Sequence, residues 1–214
     1  MQKIRVLLIE DHTMVRQGLR RLLEMSDDIE IVGEVGDGRA ALAAVQRERP
    51  AVAIIDISLP GLNGIEVTRQ LTKLAPSTKV LILSMHADEP YIRQSLQAGA
   101  RGYLLKDADE QDLIKAVAAL SGDGSYFSPA VSKLVLDGYL KDRREPDDAL
   151  SGLSGREREV LQLVAEGKSN KEVAQVLDVA VSTVESHRKR IMEKLDLHNT
   201  ADMVRFAVRK GIVQ

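Results

Sequence analysis

The chain has 214 residues, 44% of them hydrophobic, and its 30 Lys and Arg against 32 Asp and Glu leave a formal net charge of −2. A length of this order holds one large domain or two small ones, and the apolar fraction is too high for a disordered chain. The absence of Cys excludes a disulfide framework, a thiolate zinc site, an iron–sulfur cluster and a cysteine nucleophile.

His12, His86, His187 and His198 lack the spacing of a zinc motif. Four Tyr, two Phe and no Trp argue against a sheet that stacks RNA bases. No apolar run approaches the roughly 18 residues of a membrane helix. The first run, Val6 to Ile9, stops at Glu10, which argues against a signal peptide. A cytoplasmic protein with no membrane association is expected.

In chain order, the runs IRVLLI, EIVGEV, VAIIDI, KVLILS and RGYLL read as buried parallel strands. Stretches of helical spacing separate them. Their apolar stripes are Met14, Leu19, Leu22 and Leu23; Ala41, Leu42 and Val45; Ile65, Val67, Leu71 and Leu74; Ile92 and Leu96; and Leu113, Val117 and Leu120. This alternation predicts an α/β domain over residues 1–121, with a doubly wound, five-stranded parallel sheet.

The stretch SGDGSYFSPAV reads as a turn followed by a helix start, with Ser128 at the N-cap and Pro129 first in a helix running to Leu140. KDRREPDD, residues 141–148, carries seven charges and a Pro and reads as a solvated linker. Residues 122–149 therefore form a linker with a helix. Residues 150–214 read as an all-α domain of four short helices. Ser154 with Glu157, Ser169 with Glu172 and Ser182 with Glu185 have the spacing of capping boxes, in which the two side chains satisfy orphan backbone N–H groups. A last helix begins at Asn199 or Thr200 and ends at Gly211.

In an open parallel sheet, ligands bind beyond the carboxyl ends of the strands where strand order reverses. The predicted strands end there on Glu10 and Asp11, on Asp56, on Ser84, and on Tyr103 through Lys106. Three converging carboxylates repel one another and favour a bound cation. Mg²⁺ suits them, because it keeps several waters and takes one or two carboxylates with a phosphate oxygen. Lys106 adds positive charge and Ser84 a hydroxyl, as a phosphoryl group requires. Any one acid alone would be an ordinary helix cap or N-terminal charge; the coincidence of matching positions over four strand ends is what carries the signal.

VLLIEDH, IIDISLPGLNG, LILSMHA and GYLLKD together resemble the receiver domain of two-component response regulators. The resemblance implies that Asp56 accepts a phosphoryl group and that Mg²⁺ is held by Glu10, Asp11, Asp56 and the backbone carbonyl of Ser58. It further implies that Lys106 pairs with phosphoryl oxygens and that Ser84 and Tyr103 form a switch pair. Asp107 stands where many receivers carry Pro, and the first acid is Glu10 rather than Asp.

In the last domain, a helical wheel at about 100° per residue places Val184, Ile191 and Leu195 on a buried stripe. Glu185, Ser186, Lys189 and Glu193 fall on the opposite, polar face. Arg188, Lys189, Arg190 and Lys194 concentrate positive charge nearby, and a short helix over residues 170–177 precedes by a tight turn, as in a helix-turn-helix.

LSGREREVLQLVAEGKSNKEVAQVLDVAVSTVESHRKRIMEKL resembles the LuxR-type helix-turn-helix domain. Joined to a receiver it resembles the NarL/FixJ type of response regulator. That resemblance implies base contacts from Glu185, Ser186 and Lys189. Phosphate contacts are expected from Lys168, Asn170, Lys171, Thr183, His187 and Arg190. Glu185 is claimed by two roles, helix cap and base contact, and His187 sits at the edge of the buried stripe. Part of the last helix resembles the family's dimerisation surface.

The function expected is a non-enzymatic transcription regulator, phosphorylated on Asp56 by a sensor histidine kinase, that binds double-stranded DNA and forms a homodimer when phosphorylated. The first alternative is a constitutive DNA binder whose receiver serves only for dimerisation. The second is a Mg²⁺-dependent phosphatase, which would want a general acid where Ser58 stands. The net charge conceals the division, since residues 1–150 hold 19 basic and 23 acidic side chains and residues 151–214 hold 11 and 9.

Overall fold

The computed structural model describes residues 3–141, 150 and 152–213. The charged segment expected as a linker lies, apart from Lys141, outside the described residues. The chain divides into two compact units.

In the first unit β1 (Ile4–Ile9), β2 (Ile29–Val35), β3 (Val52–Asp56), β4 (Lys79–Ser84) and β5 (Gly102–Leu105) alternate with α1 (Thr13–Glu24), α2 (Gly38–Glu48), α3 (Gly64–Leu74), α4 (Glu89–Gln97) and α5 (Glu110–Ser121). A sixth strand, β6 (Tyr126–Phe127), and α6 (Pro129–Lys141) follow. The sheet is wholly parallel in the order β2-β1-β3-β4-β5-β6. Strand order reverses at β1, which lies between β2 and β3, so the reversal opens beside the carboxyl ends of β1 and β3.

The strands are apolar on both faces because helices cover both. Leu7, Ile9, Ala53, Ile55, Ile82 and Tyr103 belong to one buried cluster with Ala41 and Val45 of α2, Leu71 of α3 and Ile92 of α4. Val6, Leu8, Ile54, Leu81, Leu83 and Leu104 belong to the other, with Leu23 of α1 and Leu113, Val117 and Leu120 of α5. Each fully buried Leu or Ile contributes about 1.5–3 kcal/mol relative to exposure.

Two local expectations are corrected. Met14, placed on the buried stripe of α1, is 88% exposed, and Leu74 of α3 is also exposed. Met14 is the second residue of α1 and Leu74 the last of α3, so both stand at helix ends. The five expected strands are joined by β6, whose Tyr126 and Phe127 pair with Gly102 and Tyr103. A two-residue strand is too short to show a periodicity. As expected, α6 begins at Pro129 directly after Ser128, whose carbonyl accepts from Ser132 N at 2.8 Å, while its buried hydroxyl makes no hydrogen bond. Val131 of α6 is fully buried in the cluster that holds Ile92 and Tyr103.

The second unit contains α7 (Gly155–Ala165), α8 (Asn170–Leu177), α9 (Val181–Leu195) and α10 (Thr200–Arg209) around a core of Val160, Leu161, Leu163, Val173, Leu177, Val184, Ile191, Met203 and Phe206. Ser154 and Ser169 form complete capping boxes with Glu157 and Glu172. The third expected box does not form. The N-cap of α9 is Ala180, whose carbonyl accepts from Thr183 N at 3.0 Å, and Ser182 lies inside the helix. Asp178 leaves α8 in the left-handed conformation and Val179 packs on the core, so the turn closes in three residues and the helix starts ahead of Ser182.

Candidate functional site

The parallel register sets the depth of each side chain on the rim. Ile9 pairs with Ile55, Asp56 with Leu83 and Ser84 with Leu105. The next residues of β1 and β5, Glu10 and Lys106, therefore emerge on the same rim as Asp56. Glu10 is 2% exposed and Asp56 4%. Lys106 Nζ lies 2.7 Å from Glu10 Oε2 and 3.1 Å from Asp56 Oδ2. Burial lowers the Lys106 pKa, but the hydrogen bond to Glu10 and the charge of Asp56 outweigh it, and the net shift is upward.

The loop after β3 is built to carry Asp56. Asn63 caps α3 by accepting from Glu66 N, and Gly64 opens the helix with its N–H donating to Ile57 O at 2.9 Å. A Cβ at Gly64 would stand 2.0 Å from the Asp56 carbonyl oxygen, so only glycine allows the helix to start this close to the strand end. Ser58 lies half-buried in this loop.

Donor atoms of Glu10, Asp11, His12 and Asp56 all lie within 4.8 Å of one another. His12 Nδ1 is 2.8 Å from Asp11 Oδ1 and 3.3 Å from Glu10 Oε1. Asp11 Oδ1 nevertheless makes no hydrogen bond and is shielded from water. An anionic oxygen of this kind, among three carboxylates served by one ammonium, fits a hard cation. In the sequence His12 is weighed only as a zinc ligand and set aside; its position directly after the acid pair was the signal for a place at this site.

Ser84 Oγ accepts from His86 N at 3.1 Å. Tyr103 is fully buried and its hydroxyl donates to His86 O at 2.7 Å. Burial pushes the Tyr103 phenol up to about 12. The two residues expected as a switch pair thus meet at one loop residue, and the His86 ring stacks on Tyr91 of α4 with centroids 4.3 Å apart.

In the second unit, Val184 and Ile191 are buried and Leu195 partly buried, while Glu185, Ser186, Lys189 and Glu193 are exposed on α9. Glu185 is not part of a cap, because the helix begins at Val181. Lys171 and Arg190 are exposed; Thr183, Lys168, Asn170 and His187 are half-buried. Ser186 Oγ donates to Ser182 O at 2.9 Å, Lys168 pairs with Glu166 at 3.1 Å, and His187 Nδ1 is buried without a hydrogen bond.

Three of the four cations around this helix have protein partners, Lys189 through an exposed i,i+4 pair with Glu193 at 3.9 Å. Arg188 bonds to Asn170 and Thr200, and Lys194 pairs with buried Glu157 at 2.7 Å. Burial pushes the Glu157 carboxyl up, but Lys194 and the bonds from Ser154 outweigh it and hold it below the usual range.

A parallel sheet with an acidic rim and a half-buried lysine, followed by a helix-turn-helix unit, defines a receiver joined to a DNA-binding domain. The family profile of the response regulator receiver domain matches residues 6–118, and that of the bacterial regulatory proteins of the luxR family matches residues 151–207. The chain belongs to the two-component response regulators of NarL/FixJ type.

It is 37% identical to the transcriptional regulatory protein MctR of Rhizobium johnstonii, over 99% of this chain and 96% of that one. It is 36% identical to the oxygen regulatory protein NreC of Staphylococcus carnosus, over 98% and 99%. A solved structure of RcsB from Salmonella enterica serovar Typhimurium, bound to the promoter P1flhDC with the phosphomimetic BeF₃⁻, superposes with a TM-score of 0.61 at 29% identity, covering 96% of this chain and 98% of that one. These relatives are transcriptional regulators and not enzymes.

Proposed function

We propose that Asp56 is the phosphoacceptor of this regulator and that a sensor histidine kinase is its donor. The observation that carries the proposal is the position of Lys106, bonded to Glu10 and facing Asp56 across 3.1 Å. A carboxylate oxygen of Asp56 attacks phosphorus, the P–N bond of the phosphohistidine breaks, and the departing imidazole keeps the electron pair and takes up a proton. Lys106 and Ser84 hold phosphoryl oxygens as Asp56 bonds to phosphorus. Glu10, Asp11 and Asp56, with the Ser58 carbonyl, would hold Mg²⁺, which supplies neutralisation of phosphoryl charge. The gathering of donor atoms of Glu10, Asp11 and Asp56 within 4.8 Å supports that assignment.

The added charge of about −1.5 to −2 draws Ser84 toward the phosphoryl group, and Tyr103 follows through their shared partner His86. A shift of a few kcal/mol between inactive and active arrangements suffices for a switch. The output is DNA binding by a homodimer on two half-sites. Glu185, Ser186 and Lys189 face base edges. Lys168, Asn170, Lys171, Thr183 and Arg190 meet phosphates, and His187, half-buried, packs beside them. RcsB bound to a promoter in the presence of BeF₃⁻ supports this direction of coupling. The functional division is a receiver over residues 1–121, a connecting segment over 122–149 and the DNA-binding domain over 150–214. No helix among the described residues is long and apolar enough to cross a membrane, in keeping with action in the cytoplasm.

Incubation with radiolabelled acetyl phosphate and Mg²⁺ tests the acceptor. Alkali-labile label is expected on the wild-type chain and absent from Asp56→Asn; equal labelling of both removes Asp56 from the role.

A further inference from the structure

We infer that Arg188 is a positioning residue for DNA binding: it fixes the amide of Asn170 for a phosphate contact and does not itself touch the nucleic acid. The inference rests on the DNA-binding role proposed for α8 and α9.

Arg188 lies between Thr183 and Arg190 on α9, in the Arg-Lys-Arg run whose other two members are exposed. Its own side chain is committed. One terminal nitrogen, Nη1, donates to Asn170 Oδ1 at 2.6 Å, and the other, Nη2, donates to Thr200 Oγ1 at 2.5 Å. Asn170 is the first residue of α8 and Thr200 the first of α10. One guanidinium therefore ties the exposed helix of the pair to the first turns of two others. Cations gain nothing from helix dipoles at N-termini. The hydrogen bonds hold Arg188 there, and bonds from a charged donor are about twice as strong as neutral ones.

The chemical consequence falls on Asn170. A guanidinium has donors and no acceptor, so it can engage only the amide oxygen. That choice removes the ambiguity of the amide flip and leaves Nδ2 as the remaining polar group, able only to donate. A donor on the first turn of a helix is suited to a backbone phosphate, which helix N-termini already favour. Without Arg188 the amide can turn its oxygen outward, where it repels the same phosphate. Thr200 anchors the second arm and thereby holds the guanidinium in the plane Asn170 needs.

The experiment uses the full chain with Mg²⁺ and beryllofluoride, and a duplex selected from a random-sequence library by the wild-type protein. Affinity is followed by fluorescence anisotropy over a range of KCl concentrations. Arg188→Met and Asn170→Ala should each weaken binding about tenfold, as the loss of one hydrogen bond to a charged group does. The double variant should be no weaker than either single one, because both remove one contact. Thr200→Val, which cuts only the anchoring arm, should weaken binding about two- to threefold, and all variants should keep the wild-type salt slope, since no phosphate-bound cation is lost.

A slope shallower by about 0.9 in Arg188→Met, with an effect that adds to that of Asn170→Ala, would make Arg188 a phosphate ligand and overturn the inference. So would weakened binding by Arg188→Met with Asn170→Ala at wild-type affinity, which would reduce Arg188 to a structural brace. Failure of the wild-type chain to select or bind any duplex would instead remove the DNA-binding role, and this inference with it.

Discussion

The hydroxyl of Tyr103 donates to the backbone carbonyl oxygen of His86 at 2.7 Å, across the gap between the end of β5 and the loop after β4. The same loop residue donates its N–H to Ser84 Oγ and stacks its ring on Tyr91. Ser84, Tyr103 and Tyr91 of α4 therefore share His86 as a common partner. Tyr103→Phe keeps the packing and removes the bond, so it should cost about 1 kcal/mol of stability, measured by urea unfolding of the receiver unit. An unchanged midpoint would show that the bond contributes nothing to holding the loop.

Alkaline pH gives a second measure of the same residue. Burial raises the Tyr103 phenol to about 12 in the folded protein, against about 10 in the unfolded chain. Its contribution to stability is complete below about pH 10 and is lost as pH rises toward about 12, because the unfolded phenol ionises first. The wild-type chain should lose more stability than Tyr103→Phe over that interval, with urea midpoints compared at about pH 9 and about pH 11. Parallel losses in both proteins would contradict the burial argument.

Lys106 is the single cation between two buried carboxylates. Lys106→Met preserves its length and leaves Glu10 and Asp56 uncompensated, which should cost about 3 kcal/mol in the presence of a chelator. Added Mg²⁺ should then stabilise the variant more than the wild type, since the ion takes over the neutralisation. Thermal unfolding with and without Mg²⁺ measures both effects, and indifference of the variant to Mg²⁺ would argue against an ion at these acids.

The cap correction in the second unit is open to direct test. Ser154→Ala and Ser169→Ala each break a capping box and should cost about 1 kcal/mol. Ser182→Ala should change stability by less than about 0.5 kcal/mol, because Ser182 caps nothing. Urea unfolding of the three variants separates them, and a loss for Ser182→Ala equal to the others would restore the helix start expected from the Ser-x-x-Glu spacing.

Much of the receiver was legible because its central strands β1, β3 and β4 are covered on both faces and appear as runs rich in Val, Ile and Leu. The rim could be read because four of the five runs end on polar or charged residues at the carboxyl end, where the topology puts ligands. Less legible were features decided by three-dimensional neighbours. Met14 has the spacing of a buried residue but stands exposed in the first turn of α1. Ser182 and Glu185 have the spacing of a capping box, yet the start of α9 is set by the packing of Val179 and the turn at Asp178. Arg188 and Lys194 look like surface charge in the sequence. Their long side chains find acceptors 18 and 37 residues away in the chain, contacts that no local pattern encodes.

The central claim is that phosphorylation of Asp56 controls DNA binding. Its most direct test is the affinity of the wild-type chain and of Asp56→Ala for a selected duplex, each measured with and without beryllofluoride and Mg²⁺. The wild-type chain should bind about ten- to a hundredfold more tightly with the mimic, and Asp56→Ala should not respond. Equal stimulation of both proteins, or a wild-type affinity indifferent to the mimic, would contradict the account.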